Sequence, residues 1–362
     1  MINFKFKNRK AAILLLAVIS IFLLPVELNA ASYSGELGTE VIYEQQKERW
    51  RDQSFLEIDY QHDLNFDFNY YLKGALTLES YYQAGDRKRE LDFEFKEAYL
   101  NYYTDKIDWR LGRQNFSWGS SYNLNPLNYF NPVDRSELDP FETREAVTGI
   151  KAAYYPSFDW QLTGVVTQHA EIEEQQLAAQ LIRRRFSGYD LAFSVFSGNS
   201  LNALSLPGRH YYPEVNKLGL DLKGDFSSKN IGLFSEIVFS DYQPQNLKNT
   251  REVVIGMDYK FNNNLYLIGQ YYYQELPLLQ KENNQLLMFK AEKPFASFHN
   301  WEINLITDLK EKMIVLRPKL VFSLREELNL EGGAVLRFDQ AKESYLNNLS
   351  NELIYLSLSK YF

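Results

Sequence analysis

Residues 251–261 read REVVIGMDYKF. Val253, Ile255, Met257, Tyr259 and Phe261 share one parity; Val254, Gly256, Asp258 and Lys260 share the other. Side chains of an extended chain alternate between two faces, so this stretch reads as a strand with one greasy and one mainly wet side. The pattern recurs along the chain. At 217–226, Leu218, Leu220, Leu222 and Phe226 stand against Lys217, Gly219, Asp221, Lys223 and Asp225. At 55–64, Leu56, Ile58, Tyr60 and Leu64 stand against Glu57, Asp59, Gln61 and Asp63. WEINLITDL (301–309) and LNLEGGAVLRF (328–338) repeat it.

Tight turns and longer polar connections alternate between these strands. Short turns fall at Asp63-Leu64, Thr104-Asp105, Ser187-Gly188 and Asn262-Asn263; longer connections fall at 47–53, 122–145, 203–214 and 341–352. No segment of helical period and useful length interrupts them. The pattern predicts an all-β fold: a transmembrane antiparallel up-and-down β-barrel of about 18 strands, 16 also fitting, with both ends on the short-turn side. Only a closed barrel lets strands cross lipid with every backbone group paired. Residues 31 to 362 shared among 18 strands leave about 18 per strand and connection, against 9–11 needed to cross. The stretch LIYLSLSKYF (353–362) puts Ile354, Leu356, Leu358 and Phe362 on one parity. It resembles the carboxy-terminal pattern of outer-membrane barrels, which makes the barrel-assembly machinery an expected partner. A secreted β-sandwich or solenoid is the soluble alternative, but neither keeps such alternation in one unbroken meander.

Lys5, Lys7, Arg9 and Lys10 precede the apolar run AAILLLAVISIFLLPV (11–26), and Leu28-Asn29-Ala30 follows. The run is short for a membrane span and is followed by a small residue, as in a secretory signal. Residues 1–30 are read as a cleaved signal peptide and 31–362 as the barrel. The whole chain carries −8; the signal's four bases and Glu27 make +3, which leaves −11 for the mature part. Such an acidic chain lacks the basic face that nucleic acid requires. Cysteine is absent, so no disulfide, thiolate metal site or cysteine nucleophile is available. His62, His169, His210 and His299 are scattered without metal spacing, and no nucleophile elbow, phosphate loop or dinucleotide fingerprint occurs. The reading is therefore not an enzyme, with no cofactor and no metal.

One stretch breaks the rhythm. In WRLGRQNFSWGSSYNLNPLNYFNPVDR (109–135), Trp109 and Leu111 alternate with Arg110 and Gly112, then Phe116 and Trp118 fall on the opposite parity. That slip predicts a β-bulge at the barrel rim. The following connection, 122–145, is the longest, holds Pro126, Pro132 and Pro140, and carries Tyr122, Leu124, Leu127, Tyr129 and Phe130. Such residues need a surface to pack on, and the inner wall is nearest. An interior this wide is filled by water rather than by wall side chains, so the loop is expected to fold inward as a constriction. The candidate pore residues are Arg110, Arg113, Asp134, Arg135, Glu137, Asp139, Glu142 and Arg144, with Arg317 and Lys319 on a basic wall. Arg113 and Arg135 are expected to pair with loop carboxylates, and Phe116 and Trp118 to pack beneath the loop.

Gly112-Arg113-Gln114, Trp118-Gly119 and Asn131-Pro132-x-Asp134-Arg135 together resemble a pattern in bacterial outer-membrane barrels that include alginate-export-like porins. The resemblance implies an 18-stranded channel that passes polar or anionic solutes. This chain is shorter than the exporters, so general diffusion is the expectation rather than polymer export. The sequence thus predicts an outer-membrane, porin-like channel for small hydrophilic solutes, surrounded by lipid, with a homo-oligomer left open. The alternative is a non-conducting barrel that scaffolds or receives envelope polysaccharide.

Overall fold

The computed structural model describes residues 31–83, 86–122, 124–132, 144–168, 175–200, 204–206, 209–226, 231–243, 247–277, 283–296, 298–338 and 352–362. The expected signal peptide lies outside them. Before the long loop come β1 (Ala31–Glu44), β2 (Arg49–Asp63), β3 (Phe68–Gln83), β4 (Asp86–Tyr103) and β5 (Ile107–Gln114). After it come β6 (Val147–Ser157), β7 (Trp160–Gln168), β8 (Gln175–Phe186) and β9 (Tyr189–Asn199). A small hairpin, β10 (Leu204–Leu206) and β11 (Arg209–Tyr211), stands apart from the wall. The wall resumes with β12 (Glu214–Phe226), β13 (Ile231–Tyr242), β14 (Thr250–Lys260), β15 (Tyr266–Glu275) and β16 (Asn283–Phe295). It finishes with β17 (His299–Asp308), β18 (Met313–Arg325), β19 (Leu328–Phe338) and β20 (Leu353–Tyr361).

Eighteen strands form one antiparallel sheet in which each pairs with its neighbours in sequence, β9 with β12, and β20 with β1. The ring is closed, as strands in lipid require, and the count is 18 rather than 16. At the seam, the Gly35 amide donates to the Phe362 carbonyl at 2.9 Å and the Phe362 amide donates back at 3.1 Å. Gly35 leaves room for the Phe362 ring, which a Cβ there would strike. No α-helix occurs among the described residues, only a 3-10 turn at Gln45–Lys47. That turn replaces the long connection expected at 47–53, because Arg49 and its successors continue the ladder opposite Glu44.

Alternation does separate two environments. On β14, Ile255 and Met257 are each 57 % exposed on the outer face, while Val254, next to Ile255, is fully buried. Leu218, Leu220, Ile303 and Leu356 continue the outer apolar band. Towards the short turns the band ends in rings: His62 between Tyr60 and Tyr70, Phe68 on Tyr102, and His299 between Phe295 and Phe322. Trp109 and Trp160 stand at the same end. Amphipathic rings suit the depth where lipid tails give way to headgroups. Two of the four histidines are therefore members of this girdle.

The inner face is less uniformly polar than the alternation suggests. Val254, Ile268, Leu286, Met288, Ile306 and Val315 all take the inward parity, are buried, and form one cluster with Leu124 of the long loop. These residues meet protein rather than water, so the interior is partly packed.

Facing can be tested directly because the chain has no native cysteine. Cysteine at Ile255 or Met257 should resist a small water-soluble thiol reagent in proteoliposomes, and cysteine at Asp258 should react. Equal labelling at the three positions would show that the alternation does not mark two solvents.

Candidate functional site

The site begins at the end of β5, which pairs with β4 up to Arg113 and with β6 up to Gln114 in unbroken register, without the bulge expected there. Arg110 points inward; its Nε donates to Asn101 Oδ1 at 2.7 Å and its guanidinium lies 4.1 Å above the Tyr99 ring. Gly112 then adopts φ +131°, where a Cβ would run into the Ala98 carbonyl and the Tyr99 backbone. Only glycine accepts that conformation without strain. Gln114, wholly buried, sends its amide back to the carbonyls of Arg110, Gly112 and Gly149 at 3.4, 3.3 and 3.2 Å. It thus supplies a partner to backbone groups beside the irregular turn. The carboxylates expected to pair with Arg113, from Asp134 to Glu142, lie outside the described residues. Among the described residues, Arg113 Nη2 meets Glu94 of β4 at 2.9 Å and its Nε donates to the Lys96 carbonyl at 3.2 Å.

Beyond β5 the chain folds into the lumen. Its neck is held by Asn131, whose Oδ1 accepts the Phe116 amide at 2.8 Å and whose Nδ2 donates to the Glu145 carbonyl at 2.7 Å. The Glu145 amide in turn donates to Pro132 at 3.0 Å. Asn125 and Asn128 act likewise on the Trp118 carbonyl and on the amides of Asn128 and Asn131. These asparagines stand in for the ladder that a loop lacks. Phe116 and Trp118 pack against Phe130, and Tyr129 lies edge-on to Trp118. Together with Leu127 they sit on Val147, Val165, Ala178, Phe196, Val215 and Val238 of the inner wall. Lys217 lies buried over the rings of Tyr129 and Phe196, at 5.3 and 5.8 Å.

The far end of the loop is anchored by wall residues remote in sequence. Glu236 on β13, fully buried, accepts the amides of Ser120 and Ser121 through Oε1 at 2.7 and 2.6 Å, and that of Leu127 through Oε2 at 3.4 Å. The Ser120 hydroxyl bonds Asp221. On β15, Gln270 takes the Tyr122 amide at 3.1 Å and donates to the Leu124 carbonyl at 2.8 Å, while the Tyr122 and Tyr266 hydroxyls meet at 2.6 Å. Two glycines make the fit possible. Gly119, at φ +89°, brings the chain so close that a Cβ would lie 2.5 Å from Glu236 Oε1. Gly219, an inward position on β12, leaves a seat for Leu127 and Tyr129 that a Cβ would occupy. Since β15 lies eight places from β5 around the ring of eighteen, the loop crosses almost the whole lumen.

The predicted residues divide accordingly. Arg110 and Arg113 stand at one root of the loop, and the Arg144 carbonyl accepts Asn115 Nδ2 at 3.4 Å at the other. Arg317 and Lys319 lie on β18, where Lys319 is 3.7 Å from Glu302. Asp134, Arg135, Glu137, Asp139 and Glu142 lie outside the described residues. Sequence reasoning missed Gly219, Gln270 and the anchoring role of Glu236. Gly219 did carry a signal, since a glycine amid a strand marks a close backbone approach.

Glu236→Ala should leave three buried loop amides without an acceptor, a cost of about 3 kcal/mol or more, and free the loop while the barrel stays folded. Gly219→Val should do the same by filling the seat of Leu127 and Tyr129. Chymotrypsin should then cut between 116 and 130 in either folded variant and spare the parent. Resistance in both variants would mean that these contacts do not hold the loop.

Residues 26–170 match a family model described as a protein of unknown function, DUF1302. No curated protein matches the chain in sequence. Among solved structures, Pseudomonas aeruginosa OccK5 (OpdH) aligns over 92 % of this chain and 97 % of its own, at TM-score 0.60 and 8 % identity. Pseudomonas aeruginosa OprD aligns over 92 % and 94 %, at TM-score 0.58 and 8 % identity. Escherichia coli Wzi, described as an outer membrane protein involved in group 1 capsule assembly and a carbohydrate-binding β-barrel, aligns over 97 % and 88 %, at TM-score 0.58 and 9 % identity. At these identities the likeness is one of fold: this chain has the porin-like barrel of bacterial outer-membrane proteins.

Proposed function

We propose that the protein is an outer-membrane channel for passive passage of small hydrophilic solutes, narrowed by the loop that follows β5. The observation that carries this reading is the asymmetry of the lumen. The described part of the loop is docked against β6–β9 and β12–β15, and its anchors, Glu236 and Gln270, belong to that side. On β2–β5, by contrast, the inward side chains are charged and partly open to water: Lys96 is 33 % and Glu94 53 % accessible. A wet, charged wall facing an infolded loop is the arrangement of a restricted aqueous path.

A second reading is a closed barrel that receives envelope polysaccharide. The apolar cluster from Val254 to Val335 favours it, because packed interior residues reduce the space for water. The likeness to Wzi, a carbohydrate-binding barrel, also supports it.

Single-channel recording in planar bilayers separates the two. The parent should conduct in small steps, and replacing residues 120–130 by a short glycine-serine bridge should enlarge the steps and relax solute size exclusion in liposome swelling. A parent that never conducts would exclude the channel. Unchanged conductance in the bridged variant would exclude the loop as its constriction.

A further inference from the structure

The inward wall of β2–β5 carries many charges that largely cancel. Glu57 lies between Lys73 at 2.5 Å and Lys96 at 3.0 Å. Asp59 faces Lys73 at 3.8 Å and accepts the Tyr71 hydroxyl. Glu79 faces Arg51 at 3.7 Å and accepts the Tyr81 hydroxyl; Glu94 holds Arg113. Opposite charges only a few ångströms apart leave little net field a few ångströms into the lumen, where water screens what remains. This wall therefore gives an ion of either sign little reason to linger.

Directional hydrogen bonding remains. Each pair offers a strong acceptor beside a strong donor, and the phenols of Tyr71 and Tyr81 add to them. Further down, Asn101 Nδ2 donates to Asn69 Oδ1 at 2.7 Å. Planar groups lie among them: the Tyr71 and Tyr99 rings stack at 5.0 Å, and Arg110 caps Tyr99. From Asn69 to Tyr81 along β3 the strip runs roughly 40 Å, the depth of the wall. A vicinal diol donates one hydroxyl proton to a carboxylate and accepts from the neighbouring ammonium or guanidinium, which a simple ion cannot do. Planar groups suit the C–H faces of a sugar ring.

We propose that this strip is a binding track for neutral polyhydroxy solutes, short saccharides in particular. The proposal rests on the channel reading for its role in passage, but not for binding itself. The groups are hydrated when the track is empty, so binding is weak, of order 1 mM, as passage requires.

The test uses the folded barrel in detergent and in bilayers, with maltotriose, trigalacturonate and trilysine as probes. Calorimetry should show millimolar maltotriose binding, with neither charged probe tighter. Lys73→Met, which uncovers Glu57 and Asp59, should weaken maltotriose binding at least fivefold and shift the reversal potential in a KCl gradient towards cation selectivity. Tyr71→Ala should weaken binding by a similar factor without that shift. Heat-modifiable migration establishes that each variant is folded. A charged probe binding tenfold tighter than maltotriose, or maltotriose affinity unchanged in both variants, overturns the track. Conduction without maltotriose binding overturns the track and leaves the channel. Maltotriose binding without conduction supports the track and overturns the channel.

Discussion

Every backbone N–H and C=O placed at membrane depth needs a partner, because hydrocarbon supplies none. That requirement closes the wall: eighteen strands pair around to a seam where Gly35 and Phe362 exchange hydrogen bonds. It also governs the loop inside. A segment that leaves the ladder and packs against apolar side chains loses both strand neighbours and water, so its amides must be met by side chains. Glu236, Gln270, Asn125, Asn128 and Asn131 meet them. The wall and the loop therefore obey one rule, satisfied by main chain in the first and by carboxylates and amides in the second.

The same rule explains the placement of glycine. Gly112 lets the strand take a positive φ against the β4 backbone, Gly119 lets the backbone approach a carboxylate, and Gly219 empties a seat in the wall. None of the three is interchangeable with another small residue, because in each case a Cβ would meet backbone, a carboxylate or a docked side chain. Burying Lys217 over Tyr129 and Phe196 adds a cation held by ring faces under the loop. The described part of the loop is thus seated by shape and hydrogen bonding.

Facing was legible in the sequence because it depends only on parity. Ile255, Met257, Leu218 and Leu356 announced the lipid side, and alternating short and long connections led to eighteen strands. The inward turn of the loop was legible from the aromatic residues between Tyr122 and Phe130, which a solvated loop has no use for. Partners were not legible. Glu236 is more than a hundred residues from Ser120 and, in one dimension, looks like any other lumen acid. The Arg113–Glu94 pair was hidden for the same reason: it is set by the pairing of β5 with β4, which sequence spacing does not encode. The apolar inward cluster escaped because Val254 and Ile306 look like exceptions until the ring brings them together.

The seam has a consequence in time. Gly35 and Phe362 lie at opposite ends of the described chain, so the contact that completes the ring is the most non-local one in the structure. Contacts of that kind form late, after most loop-closure entropy has been lost. Until then the growing sheet is an open ribbon with two unsatisfied edges, each a template for a wrong partner. Folding is therefore all or nothing at its last step: eighteen strands joined by seventeen correct pairings are still a sticky ribbon, and a single further pairing converts it into a particle with no edge.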